Sequence, residues 1–384
     1  MAILFYGVMG EGRGHAARAR AIVEALRHRH QIVIYTSHDA LSFLSSLYPN
    51  DPSVQVRPID GLKFHYKQGR LDLRQTIRAG FAIWSKLSSH LAPLLNDIDR
   101  EHPDLVISDF EPLIARAAQR RNLPILSLDH QHFLVAYDLS TLPWRLRMLA
   151  RSMRLAVWAF GIGQRKTVVS AFYRPPLKRG YEEVVQVGPL LRPSLRGMPC
   201  RNEGYVVSYL RRATPPHVVE LLAQLKRPVQ VFGLGSRPPL KQLTFHEVDE
   251  ESFTSALAGC EAVVAAAGNQ LLGEALYLGK PYFALPEGKH FEQCINAHYL
   301  RELGGGEWCE IEAVELDDLR RFFERLEEYR ANLSGRQKEF DGTPAAVEAI
   351  ESMLTSLGQV PSKSQKAGPS KSISPSGQPG LSPG

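Results

Sequence analysis

Short apolar runs alternate with longer amphipathic ones in both halves of this chain, and one segment breaks the alternation: Gln186-Val187-Gly188-Pro189-Leu190-Leu191-Arg192-Pro193. A short buried-type run followed by a helical stretch marks a parallel sheet wrapped by helices, because parallel neighbours need a long crossover. Strands are expected at 3–8, 32–36, 54–59, 105–108, 125–128 and 184–187, with helices at 17–28, 73–99 and 111–121. Two prolines and a glycine end this unit. The pattern restarts with strands at 205–210, 229–232, 244–247, 262–266 and 282–285. The spacing therefore predicts two doubly wound α/β domains, residues 1–187 and 204–357, joined by a linker over 188–203. They are expected to face each other across a cleft that binds one substrate on each wall.

With 384 residues, 44% of them apolar, the chain is long enough for two cores. Cys200, Cys260, Cys294 and Cys309 form no C-x-x-C pair, which fits neither a zinc site nor a disulfide framework and points to a reducing cytoplasm. No secretory signal is expected, and no apolar run is long enough to span a bilayer, so the protein is expected to be soluble or peripheral. A net charge of +6 raises the question of nucleic acid, yet no recognition motif accompanies it, and no such partner is expected. Lys363, Lys366 and Lys371 lie among Ser, Pro and Gly in 358–384, a composition that forms no core and predicts a disordered tail.

Gly10-Glu11-Gly12-Arg13-Gly14-His15 follows the first strand and leads into a helix. Such a turn brings backbone and helix-terminal N–H groups close to a polar or anionic ligand, which makes Gly12 and Gly14 binding candidates. The dinucleotide fingerprint does not fit. Its third glycine is displaced, and the second strand ends in Thr36-Ser37-His38 rather than in an acid for a ribose. His15 stands at the carboxyl end of a parallel strand, where α/β proteins bind ligands.

A second informative segment runs from Ala266-Ala267-Gly268-Asn269-Gln270-Leu271-Leu272-Gly273-Glu274 to Gly279-Lys280-Pro281 and is followed by Glu292-Gln293 and Asn296-Ala297. A strand ends, a glycine turn opens a helix, and Glu274 lies two turns in, able to face back toward the helix start. A diphosphate suits that N-terminus, and a carboxylate there can accept both hydroxyls of a ribose.

Together these motifs resemble GT-B glycosyltransferases, built from two Rossmann-like domains. They are most similar to the nucleoside-diphosphate-sugar transferases related to the peptidoglycan N-acetylglucosaminyltransferase and the monogalactosyldiacylglycerol synthases. The likeness covers about residues 1 to 355, all but the tail. The resemblance implies a nucleotide-sugar donor, with uridine the expected base, on the second domain. Glu274 would hold the ribose, Glu292 and Gln293 the sugar hydroxyls, and Gly268, with Asn269 and Gln270 beside it, the diphosphate. Where the plant-type donor box carries a histidine and a hydroxyl residue, Ala266 and Leu271 stand here, so Arg211, next to Arg212, is expected to meet the phosphate charge, a solvated pair on a loop being the alternative.

The resemblance also makes His15 the general base for the acceptor hydroxyl, with Asp109 orienting it. A capping or phosphate-contacting His15 and an N-capping Asp109 are the alternatives, and Glu111 is a second candidate. Asp129-His130-Gln131-His132 is read as acceptor contacts, because its His-x-His lacks further metal ligands, with an ordinary polar loop as the alternative.

Between 139 and 181 there is no acidic residue. Arg145, Arg147, Arg151, Arg154, Arg165 and Lys166 alternate there with Trp144, Leu149, Met153, Leu155, Trp158 and Phe160. That pattern suits an anionic membrane surface, or else a helix packed on the first sheet with a solvated basic face. The expectation is an inverting, metal-independent hexosyl transfer from a nucleoside diphosphate to a hydroxyl acceptor, with a lipid or cell-envelope glycan among the candidates. No cofactor beyond the donor is implied. A nucleotide-sugar epimerase on the same scaffold and a non-catalytic sugar-nucleotide-binding protein are the competing readings.

Overall fold

A computed structural model describes residues 1–11, 13–61, 66–67, 70–71, 86–160, 163–288 and 290–359. The first sheet contains β1 (Ile3–Val8), β2 (Gln31–Thr36), β3 (Val54–Pro58), β6 (Leu105–Asp109), β7 (Ile125–Asp129), β8 (Lys166–Ser170) and β9 (Val185–Val187). A separate small hairpin pairs β4 (Tyr66–Lys67) with β5 (Arg70–Leu71). The second sheet contains β10 (Val206–Tyr209), β11 (Val229–Phe232), β12 (Leu243–His246), β13 (Ala262–Ala265), β14 (Tyr282–Ala284) and β15 (Gly306–Trp308).

Both sheets are parallel, with orders β3-β2-β1-β6-β7-β8-β9 and β12-β11-β10-β13-β14-β15. Chain order therefore reverses between β1 and β6 and again between β10 and β13. Loops leaving such a pair part in opposite directions and open a crevice at the carboxyl ends of the strands. The register sets Val8 beside Asp109 in one sheet and Tyr209 beside Ala265 in the other.

Helices cover both faces of each sheet, so central strands such as β6, β7 and β13 are buried throughout. One apolar cluster runs through both domains, joining Phe133, Tyr137 and Tyr173 to Ala267, Leu272 and Ile295. The chain crosses between the domains twice, and the crossings touch. A Cβ on Gly188 would lie 2.6 Å from the Glu339 carbonyl oxygen, and one on Gly342 would lie 2.0 Å from that of Gly188. After the second crossing the Thr343–Gln359 helix lays Ala346, Ala349, Ile350 and Met353 on the core of the first domain. Their helical spacing gives it one apolar stripe.

The strands of the two large sheets match expectation closely, with two additions there, β8 and β15, and the β4–β5 hairpin is a third unexpected feature. β8 lies within the segment read as a single basic stretch, which divides into the Trp144–Phe160 helix and a strand. The first helix begins at Arg13, so Gly14 and His15 belong to its first turn. Of the helix expected over 73–99, Leu87–Glu101 is observed and 72–85 lies outside the described residues. The last helix runs to Gln359, and the remainder of the expected tail lies outside the described residues.

Candidate active site

The crevice between β1 and β6 holds a bonded set of charges. Gly10 is pressed against the end of β2, where a Cβ would stand 2.1 Å from Ser37 Oγ. His15 and Arg18 share one face of the first helix, three residues apart. His15 Nδ1 lies 3.0 Å from Asp109 Oδ1, while Arg18 donates from Nε to Oδ2 at 2.8 Å and from Nη2 to Oδ1 at 2.6 Å. Arg18 Nη2 is also 2.7 Å from His15 Nδ1. Nδ1 thus faces an acceptor, Asp109 Oδ1, and a donor, Arg18 Nη2, and in the tautomer that donates Nδ1–H to Asp109 the Nε2 atom is free to accept a proton. Asp109 has no exposure, and burial alone would raise its pKa. Arg18 and then His15 outweigh burial and hold the carboxyl below its ordinary 3.8. Arg18 was not among the residues expected here; its place three positions after His15 on a helix was the available signal.

Phe110 adopts a left-handed turn (φ 54°), which makes Glu111 the N-cap of the Pro112–Arg120 helix. The Glu111 carboxylate accepts from the backbone N–H groups of Leu113 (3.1 Å) and Ile114 (2.7 Å). Asp109 caps no helix and is left to Arg18 and His15. Burial pushes Glu111 up to about 7, although those N–H groups oppose it, so two acids two residues apart are displaced in opposite directions.

At the end of β7 the expected acceptor cluster divides. Asp129 binds His132 Nδ1 at 2.6 Å and accepts from Ser127 Oγ at 2.6 Å. Burial would raise Asp129, but His132 and Ser127 bring it down to about 2. His130 turns the other way. Its Nδ1 meets the Ser170 carbonyl at 2.9 Å, and its Nε2 is enclosed without a partner, 3.9 Å from Glu292 Oε1 of the second domain. Burial pushes His130 below its ordinary 6.5 despite Glu292.

In the second domain, Gly268 opens the Asn269–Tyr277 helix without a side-chain cap, and nothing lies within 4 Å of where its Cβ would be. The position of a Cβ on Gly14 lies 3.9 Å from Gln270 Cβ, so the starts of two helices face each other. Asn269 donates to the Ser170 carbonyl (3.1 Å), and Gln270 donates to the Leu190 carbonyl (2.9 Å) and to Glu274 Oε1 (2.7 Å). Glu274 is fully buried. Arg192 of the linker donates to its Oε1 at 2.8 Å, and its Oε2 has no partner.

Arg211, on the loop after β10, is exposed and 3.6 Å from Glu287 Oε1. The Gln293 side chain accepts from the Glu287 N–H (3.1 Å). Asn296 donates to the Ala267 carbonyl (2.9 Å) and accepts from Tyr173 Oη (3.1 Å). Burial would raise Glu292, but His130, His290 and, across the cleft, His15 and Arg18 hold it below 4.5. The structure thus brings His15, Arg18, Asp109, His130 and Glu292 into one electrostatic neighbourhood, with Glu274 set against the linker and Arg211 on the rim. Gly12 lies outside the described residues. Among the described residues no group of three His, Cys, Asp or Glu side chains is placed to hold a metal ion.

The Trp144–Phe160 helix buries Ala150 and Val157 in the shared core and turns Arg145, Arg147, Arg151 and Arg154 outward with Trp144 and Met148. The Arg145 guanidinium lies 5.6 Å from the centre of the Trp144 ring. The side chains of Leu155, Trp158 and Phe160 lie outside the described residues. No helix among the described residues is long and apolar enough to cross a membrane.

The sequence matches Glycosyl transferase family 1 over residues 1–327. An uncharacterized glycosyltransferase of Methanosarcina mazei is 23% identical over 343 residues, covering 80% of this chain and 85% of that protein. Among solved structures, Os79 from O. sativa in complex with UDP is similar with a TM-score of 0.66 at 13% identity, covering 92% of this chain and 100% of that one. MurG of Acinetobacter baumannii gives 0.58 at 15% identity, covering 91% and 99%. These likenesses establish the shared fold, two Rossmann-like domains in the GT-B arrangement.

Proposed function

This chain belongs to Glycosyl transferase family 1, and we propose that it moves a hexose from UDP to a hydroxyl acceptor in one displacement that inverts the anomeric centre. The contact of His15 with Asp109 at 3.0 Å, at the crevice of the first domain, carries this reading. His15 Nε2 takes the acceptor's proton as its oxygen attacks the anomeric carbon, and the bond to the diphosphate breaks. The resulting imidazolium is stabilised by Asp109. One base and no covalent nucleophile suffice for a single displacement.

The leaving diphosphate is met by helix-terminal N–H groups at Gly268, Asn269 and Gln270 and by Arg211, without a metal ion, with Gly14 closing from the opposite wall. Glu274 serves the ribose through the oxygen its protein partners leave free. Glu292 and Gln293 serve the sugar. The Os79 complex with UDP supports the choice of nucleotide.

The outward face of the Trp144–Phe160 helix suits an anionic leaflet, because arginines beside an exposed tryptophan and methionine combine charge attraction with shallow apolar insertion. The acceptor is accordingly a lipid or a cell-envelope glycan at the cytoplasmic face of a membrane. The reading is tested by incubating the protein with UDP-sugars and membrane lipids and following UDP release together with glycolipid formation. Coupled appearance of both is expected; release of an epimerised or free sugar regardless of acceptor overturns it.

A further inference from the structure

His130 belongs to the β7 cluster, to which the chemistry above assigns no role, and unlike Asp129 and His132 it is not paired within that cluster. A carbonyl oxygen only accepts, so the 2.9 Å contact with Ser170 puts the ring proton on Nδ1 and makes Nε2 of the neutral imidazole an acceptor. That acceptor is fully enclosed and unpartnered, and the atom facing it, Glu292 Oε1 at 3.9 Å, is an acceptor too. Two acceptors cannot bond each other. Beside them Asn269, whose amide shares the Ser170 carbonyl with His130, presents a third buried acceptor, Oδ1, also without a partner.

Three side-chain acceptors with no donor among them call for a ligand group that donates, which a hydroxyl does and an ionised phosphate or carboxylate does not. Asn269 is also the first residue of the helix whose start suits the diphosphate, so a sugar attached there lies next to this gap. We propose that His130 and Glu292, one from each domain, form the seat for two neighbouring hydroxyls of the transferred sugar, each hydroxyl donating to one of them. This rests on the nucleotide-sugar reading above and adds a first-domain residue to the recognition of the donor.

Binding to the full chain tests it without knowledge of the acceptor. Calorimetry with UDP, UDP-glucose, UDP-galactose and UDP-N-acetylglucosamine is compared for the wild type, His130→Asn and His130→Gln. The asparagine amide keeps a donor at the Nδ1 position for Ser170 but removes the Nε2 acceptor, whereas glutamine places an amide oxygen near Nε2. The His130 ring packs against Phe133 at 4.8 Å between centroids, so substitutes of similar or smaller size limit strain.

His130→Asn is expected to bind UDP as the wild type does and to lose about five- to tenfold in affinity for the UDP-sugar that the wild type accepts, with His130→Gln recovering part of the loss. Equal sugar affinity in wild type and His130→Asn overturns the seat, as does a wild type that binds UDP but none of the three sugars. Parallel loss of UDP and sugar binding in both variants assigns His130 to the domain seam instead. A wild type that does not bind UDP overturns the nucleotide-sugar reading itself, and the seat with it.

Discussion

At the crevice between β1 and β6, His15, Arg18 and Asp109 are bonded to one another. At the corresponding crevice between β10 and β13, Gly268 leaves its helix uncapped and Arg211 stands exposed. The two sheets reach the cleft by the same topology and furnish it in opposite ways. A general base must hold its orientation before the substrate arrives, and buried charge partners supply that. A wall that receives a diphosphate has to leave its N–H groups open, because the ligand brings the negative charge. Glu274 departs from this division, since it belongs to the second wall yet is already bonded to the linker.

The largest effect is expected at Arg18. Arg18→Met leaves the Asp109 carboxylate buried beside His15 alone, and breaking such a pair costs about 3–5 kcal/mol, read as a lower urea midpoint. Because the Asp109 pKa is depressed, its stabilisation is present above the ordinary 3.8 and lost as pH falls through the lower folded value. In the variant that loss should begin at higher pH. A midpoint within error of the wild type would mean that the first wall is not held by this pair.

Glu274→Ala tests the residue that blurs the comparison. If Oε2 serves the ribose, UDP affinity falls by about 1.5–3 kcal/mol in calorimetry. Unchanged affinity with a lowered melting temperature would instead make Glu274 a clamp on Arg192. Gly268→Ala should be smaller and cleaner: its methyl meets no protein atom, so stability stays within about 0.5 kcal/mol while UDP binding weakens. Gly188→Ala, where the chain crossings touch, should do the reverse.

Replacing Arg147, Arg151 and Arg154 with glutamine should lower sedimentation with anionic vesicles by about 1 kcal/mol per arginine and leave UDP affinity alone. Equal sedimentation of the unsubstituted protein with neutral and anionic vesicles would leave that helix a core-covering element only.

The sequence made the layered fold legible because buried parallel strands read as compact apolar runs. β8 escaped because Lys166-Thr167-Val168-Val169-Ser170 begins and ends in polar residues within a stretch dominated by arginines. His15 and Asp109 were legible from their places at strand ends, and the register of β1 with β6 explains why two residues ninety-four positions apart meet. Arg18 and the enclosure of Glu274 were not, since both depend on which face of a helix meets a neighbouring segment. The last helix packs on the first domain for a reason no local pattern carries, a second crossing at Gly342.

The central claim is that the first wall performs the chemistry and the second holds the donor, and single-turnover transfer by wild type and His15→Ala, with UDP affinity measured alongside, tests it most directly. The account predicts a product of inverted anomeric configuration from the wild type, and a rate at least about a hundredfold lower in His15→Ala with UDP affinity unchanged. A His15→Ala variant that keeps near-normal transfer, or that loses UDP binding in step with rate, would contradict it.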